Sequence, residues 1–205
     1  MKRISTLLVA ALLLTGCGYN TIQTYDEAVN GAQGNIEAQL QRRSDLIPNL
    51  VRVAEEAGLR ENAILRDVTQ ARAGLQGALN RTGGRSPQEL ADANAGLTTA
   101  LGRFNSFVVE SYPQLRSNQN FLNLQDELTG TENRIAVSRT DYNQAVQQYN
   151  GYIRRFPAAL TARATGAKPR EFFTASASAQ AAPQVEFSRP AGTGVAPAPA
   201  APTPP

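Results

Sequence analysis

Apolar residues recur at steps of three and four in four successive runs. The first is Ile22, Tyr25, Val29, Ala32, Ile36, Leu40, Ile47, Leu50, Ala54 and Ala57, the spacing that lays one apolar stripe along an α-helix. Gly58 follows as a C-cap candidate. Pro48 sits inside the stripe, where it removes one backbone hydrogen bond and crowds the preceding turn; because the phase resumes at Leu50, a kink rather than a break is predicted. The second run is Ile64, Val68, Ala71, Leu75 and Ala78, ending at Gly83-Gly84, a turn signal. Ser86-Pro87-Gln88-Glu89 then reads as an N-cap, a proline at the first helical position and a capping-box glutamate. It opens a third stripe, Leu90, Leu97, Leu101, Phe104 and Val108, which should end before Tyr112-Pro113. The fourth run is Phe121, Leu124, Leu128, Thr131, Ile135, Tyr142, Ala145, Tyr149, Ile153 and Phe156, after the cap candidates Ser117 and Asn118. A helix over 119–156 would be about 57 Å long.

Rods of that length need partners along their whole extent. With no strand alternation in the pattern, the predicted fold is all-α: an elongated antiparallel bundle of about four helices joined by short turns. From Thr174 the composition shifts to Ala, Pro, Ser, Gln and Gly, and seven of the twelve prolines lie between Pro183 and Pro205. Such a stretch buries too little apolar surface to offset ordering, so 174–205 is predicted to be a disordered tail. Extended, it would reach about 100 Å.

The N-terminus carries a different signal. Lys2 and Arg3 precede an apolar segment from Leu7 to Leu14, and Leu14-Thr15-Gly16-Cys17 places the only cysteine directly after small residues. This is the pattern of a bacterial lipoprotein signal. The apolar run is shorter than the roughly 20 residues of a membrane-spanning helix. Residues 1–16 are therefore expected to be a signal peptide, Cys17 the lipidation site, 17–21 the anchor segment and 22–173 the bundle. Two or three acyl chains make such an anchor stable where one does not. Gly18 is not the aspartate linked to inner-membrane retention, so an outer-membrane anchor facing the periplasm is favoured for a double-membraned host.

Removing the signal changes the charge picture. The chain has 205 residues with 20 basic and 17 acidic side chains; without Met1 to Gly16, which hold Lys2 and Arg3, the balance is near neutral despite a pI of about 9.3. Nothing like a nucleic-acid footprint remains. Histidine is absent and cysteine single, so no Ser-His, Cys-His or Cys/His metal constellation can be assembled, and no intrachain disulfide is available. No cofactor is expected.

Several ordered motifs carry a family likeness. Gln39-Leu40-Gln41-Arg42-Arg43-Ser44-Asp45-Leu46-Ile47-Pro48-Asn49-Leu50-Val51, Glu110-Ser111-Tyr112-Pro113-Gln114-Leu115 and Leu128 to Asn143, with Thr131-Glu132-Asn133, Arg139 and Tyr142-Asn143, closely resemble the LemA family. Tyr19-Asn20, Tyr149-Asn150, Phe156-Pro157 and Pro183-Gln184-Val185-Glu186-Phe187 extend the likeness over residues 18 to 187. The resemblance implies an envelope protein whose antiparallel helical bundle lies outside the cytoplasmic membrane, with no assigned reaction. Many members carry an N-terminal transmembrane helix where this chain has the lipobox, and the Ala/Pro tail after Phe187 is outside the family pattern.

Within these motifs Arg43 and Arg139 fall on or beside the apolar stripes, and charges directed inward must be paired or hydrogen-bonded. Asp45, Glu110 and Glu132 are the available carboxylates, with Asn49, Asn133 and Asn143 able to complete a network. The preferred reading is structural: the arginines engage the acids across the bundle and set helix register. The rivals are general acid–base catalysis and a hard-cation site. Tyr142 and Tyr149 lie on the core stripe, which favours packing over aromatic recognition. The functional expectation is a lipid-anchored envelope scaffold without catalytic activity, docking unidentified envelope proteins such as membrane quality-control factors, with a second copy of the chain as a further candidate partner. The alternative is a structural spacer whose tail reaches another envelope layer or the cell wall.

Overall fold

The computed structural model describes the backbone of residues 2–81 and 86–174, with side chains from Gly18 onward except that of Asn62. The Gly83-Gly84 turn, the Cys17 side chain, the Pro183 to Phe187 motif and the Ala/Pro tail beyond Thr174 lie outside the described residues.

Among the described residues the fold is all helical. Helix α1 spans Lys2–Glu56, α2 Asn62–Leu79, α3 Pro87–Ser111, a 3-10 helix Pro113–Ser117, α4 Gln119–Tyr152 and α5 Ala158–Thr165. At 1.5 Å per residue, the 55 residues of α1 extend about 80 Å and the 34 of α4 about 50 Å. Among the described residues no helix is long and apolar enough to cross a membrane.

Cross-contacts define the directions. Tyr25 meets Tyr152 with ring centroids 5.3 Å apart, Arg42 meets Glu127 and Arg43 meets Glu132. Positions rise along α1 as they fall along α4, so the two run antiparallel. Arg43 brings Asn94 of α3 beside Glu132 of α4 while Phe104 lies on Phe121 at 6.2 Å, which shows the same for α3 and α4; the short connection from Glu56 to Asn62 and the Ser44–Gln76 bond fold α2 back on α1.

The predicted stripes supply the core. Val29, Ile36, Leu40, Ile47, Leu50, Val68, Leu75, Leu90, Leu97, Phe104, Val108, Phe121, Ile135 and Tyr142 are buried in one continuous cluster, with Tyr25, Ala32 and Ala145 packed against it; Val146, outside the predicted stripe, is buried there as well. One expectation is corrected. Phe156 leaves the fourth stripe, because α4 ends at Tyr152 and the chain turns into α5; its ring is 83% exposed.

The ends follow local chemistry. Gly58, at φ +92°, closes α1 in a Schellman motif: its N–H donates to Glu55 O and that of Leu59 to Ala54 O, with Leu59 buried as the accompanying apolar contact. The Asn118 side chain accepts from Phe121 N–H and caps α4. Ser86 is the N-cap of α3 with Pro87 following, yet its side chain makes no cap bond. The expected capping box is not formed; Glu89 pairs instead with Arg81 across the α2–α3 connection.

Candidate functional site

Three polar locks tie the helices of the bundle to one another and to the segment that follows α5. The first begins at Pro48, inside an α1 that continues unbroken. A proline has no N–H, so the carbonyl four residues earlier, that of Ser44, loses its helical donor. Arg72 of α2 supplies one: its Nε donates to Ser44 O at 2.9 Å, while Gln76 Nε2 donates to the buried Ser44 hydroxyl at 2.9 Å. The helix passes its proline without an orphaned carbonyl, and the vacancy ties α2 to α1.

One residue away, Arg43 points into the bundle with its side chain 5% exposed. Its Nη1 pairs with Glu132 of α4 and donates to Asn94 Oδ1 at 2.5 Å and Thr98 Oγ1 at 3.1 Å, both on α3. A single guanidinium thus joins three helices. Burial lowers the Arg43 pKa, the Glu132 charge and hydrogen bond oppose that, and the Arg139 charge adds to the lowering; a guanidinium nevertheless stays protonated. A cleft of about 300 Å³ between α3 and α4, lined by Thr98, Asn105, Gln125 and Glu132, opens onto the pair.

The third lock holds an extended segment, 167–174, on α4. Gly166, at φ +72°, ends α5 in a second Schellman motif through Ala167 N–H to Ala162 O. The chain then runs back along α4 as a strap. Asn150 Nδ2 donates to Arg170 O at 2.9 Å and its Oδ1 accepts from Arg170 N–H at 2.8 Å. Asn143 repeats this at Phe173, donating at 2.9 Å and accepting at 2.8 Å. The spacing has a physical cause: seven helical residues rise about 10.5 Å and three extended residues span about 10 Å. Two asparagines one heptad apart therefore act as the hydrogen-bonding edge of a neighbouring strand.

Side chains seat the strap as well. Tyr142 donates its hydroxyl to Glu171 O at 2.9 Å, and the buried Phe173 ring meets Tyr142 edge-on at 6.3 Å with the Arg139 guanidinium 4.6 Å from its centroid. Arg170 grips Asp26 of α1 through Nε at 3.0 Å and Nη2 at 2.8 Å. Thr174 donates to Gln88 of α3.

Of the residues singled out from sequence, Arg43 and Glu132 meet directly. Arg139 lies within electrostatic reach of Glu132, whose charge opposes the pKa lowering that burial imposes on it, and Asn143 serves the strap. Asp45 is exposed and accepts from Gln41 on its own helix at 2.8 Å. Asn49 faces a groove between the end of α1 and the start of α4 with Arg52, Asn120 and Asn123, and Glu110 is exposed near the end of α3. The structure does not gather Asp45, Glu110 and Glu132, and no cluster of three or more potential metal-ligating side chains occurs among the described residues. Asn94, Thr98, Arg72 and the Asp26–Arg170 pair escaped sequence reading. The heptad spacing of Asn143 and Asn150, and the fourth residue before Pro48, were signals that could have exposed two of the locks.

The tyrosines give a pH prediction. Burial raises the pKa of Tyr142, with Arg170 opposing and Glu171 adding; burial and Asp26 raise that of Tyr149, with Arg170 opposing. A raised folded-state value stabilises fully below the unfolded value of about 10 and is lost as pH rises past it. Thermal melts followed by circular dichroism should therefore hold steady to about pH 9 and fall above about pH 10. Tyr142→Phe should flatten that fall.

Comparison with known proteins places this geometry. The chain matches the LemA family over residues 32–187. It is 32% identical over 191 residues to the magnetosome protein MamQ 2 of Paramagnetospirillum magneticum strain AMB-1, covering 83% of this chain and 70% of that protein. To the magnetosome protein MamQ of Magnetospirillum gryphiswaldense it is 28% identical over 194 residues, covering 84% and 71%. The family match runs from within α1 through the strap and covers most of the chain, which leads to one conclusion: the chain belongs to the LemA family.

Proposed function

We propose that this protein is a lipid-anchored scaffold of the cell envelope, a rigid helical rod that holds docking surfaces at a set distance from a membrane and performs no catalysis. The observation that carries this reading is the closeness of the lipobox to the packed bundle. Gly18, one residue after Cys17, is buried, and a Cβ there would lie 3.2 Å from Thr161 Oγ1 of α5. No linker separates the acyl site from the rod, so lipid on Cys17 would seat the α5 end at the bilayer. Confinement to a surface raises effective concentration toward membrane partners, and weak contacts then suffice. The strap leads away from that end, toward Gln88. The magnetosome designation of the MamQ relatives supports a place in a membrane-associated assembly.

Metabolic labelling with a clickable fatty acid tests the anchor. Wild type should incorporate label and yield a mature chain beginning at Cys17 by mass spectrometry, and Cys17→Ser should incorporate none. An unlabelled wild type would overturn the anchor. Photocrosslinkers at the exposed Val109 and Val137 should capture envelope proteins in cells; adducts confined to the tail and to wall material would favour a spacer.

A further inference from the structure

The α4–α5 turn exposes apolar surface that the core does not explain. Phe156 is 83% exposed and Leu160, four residues on, 58% exposed, whereas Ala158, Thr161 and Ala162 turn inward. Leu160 and Arg163 share the outer face of α5 at helical spacing. Arg154, Arg155 and Lys168 are exposed beside them. The whole stretch from Tyr142 to Arg170 contains five cations and no aspartate or glutamate, and among the described residues only Arg170 of those cations is tied to an acid, Asp26.

Single exposed apolar residues are ordinary on protein surfaces. Here two of them coincide with four exposed cations that no acid among the described residues neutralises, at the end of the rod where buried Gly18 packs on α5. Aromatic and aliphatic side chains bordered by Arg and Lys are the composition of an interfacial membrane contact: the apolar groups enter the acyl boundary while the cations reach lipid phosphates.

We propose that Phe156 and Leu160, with Arg154, Arg155, Arg163 and Lys168, form a docking face for an anionic lipid surface, so that the rod rests on the bilayer by protein contact as well as by its acyl chains. This rests on the lipid-anchored reading for its geometry, although the face itself uses none of the acyl chemistry. Near an anionic surface each cation contributes a similar favourable increment, so replacing Arg154, Arg155 and Arg163 together by glutamine should weaken the contact roughly 100-fold. Added salt should weaken it too.

The absence of tryptophan gives a silent background for the test. Full-length protein bearing Phe156→Trp, Leu160→Trp or, as a control midway along α4, Val137→Trp is reconstituted into vesicles of equal parts phosphatidylglycerol and phosphatidylcholine, and flotation verifies that it is membrane-bound. Emission from Phe156→Trp and Leu160→Trp should shift to the blue and be quenched by brominated lipid several-fold more strongly than that from Val137→Trp. The effect should fade in pure phosphatidylcholine and in the triple glutamine background. Water-like, unquenched emission from both reporters in floating anionic vesicles would overturn the face while leaving the anchor intact. If the wild type fails to float, the anchor reading falls, and Phe156→Trp fluorescence with added vesicles still decides the face. Equal quenching in neutral and anionic vesicles would reject the role of the cations.

Discussion

Replacing Glu132 with alanine is expected to destabilise the bundle by about 3 kcal/mol, because it leaves the Arg43 guanidinium without its counter-charge. For a chain of this size that corresponds to a fall in Tm of roughly 6–12 °C. The figure sits at the low end of the range for broken buried pairs, since the Glu132 side chain is 39% exposed while that of Arg43 is 5%; water admitted through the α3–α4 cleft can replace part of the lost interaction. Asn94 and Thr98 remain as neutral acceptors, so the arginine is not stripped of every partner.

The decisive measurement is a double-mutant cycle in thermal or urea unfolding. Arg43→Met with Glu132→Leu should recover much of what Glu132→Ala loses, because a well-packed apolar pair avoids the desolvation that both charges suffer. Additive effects of the two single substitutions would show that the pair does not couple α1 to α4. By contrast, truncating Arg42 or Glu127, an exposed pair one turn away, should change stability by less than about 1 kcal/mol.

The second large effect is local. Asn143→Ala with Asn150→Ala removes four hydrogen bonds between α4 and the strap. Backbone groups left unpaired cost about 1–3 kcal/mol each when buried, but the strap edge is open to solvent, so a combined loss of about 3 kcal/mol is expected. Amide exchange at Arg170 and Phe173 should accelerate roughly 100-fold, and trypsin should cut after Arg170. The α1 and α2 amides should keep their protection. Unchanged exchange at Arg170 and Phe173 would mean that Phe173 and the Asp26–Arg170 pair hold the strap without the asparagines.

These effects separate what was legible in the chain from what was not. The stripes of α1 to α4, the Gly58 cap, the Asn118 cap and the end of α3 at Tyr112-Pro113 were readable because each depends on residues within one or two turns of one another. The short α5 was not: Phe156 kept the phase of the fourth stripe, so periodicity alone carried α4 past its true end at Tyr152. The capping box failed for a similar reason, since Glu89 pairs with Arg81 in the connection after α2, a partner that the capping pattern does not contain.

Periodicity by itself determined that this chain is helical and which faces are apolar, because a 3.6-residue repeat is a property of neighbouring positions; the Leu14 to Cys17 pattern likewise drew the anchor expectation with no fold in hand. Pairing was decided only in three dimensions. Arg43 had three carboxylates to choose from in its motifs, and the antiparallel register of α1 on α4 brought it Glu132 while Asp45 stayed exposed on its own helix. Arg72 reached the Ser44 carbonyl, and Asn143 and Asn150 held a strap, because rods with fixed rises per residue meet at fixed intervals. Which side chains meet is set by that register, and register belongs to the packed bundle rather than to any one of its segments.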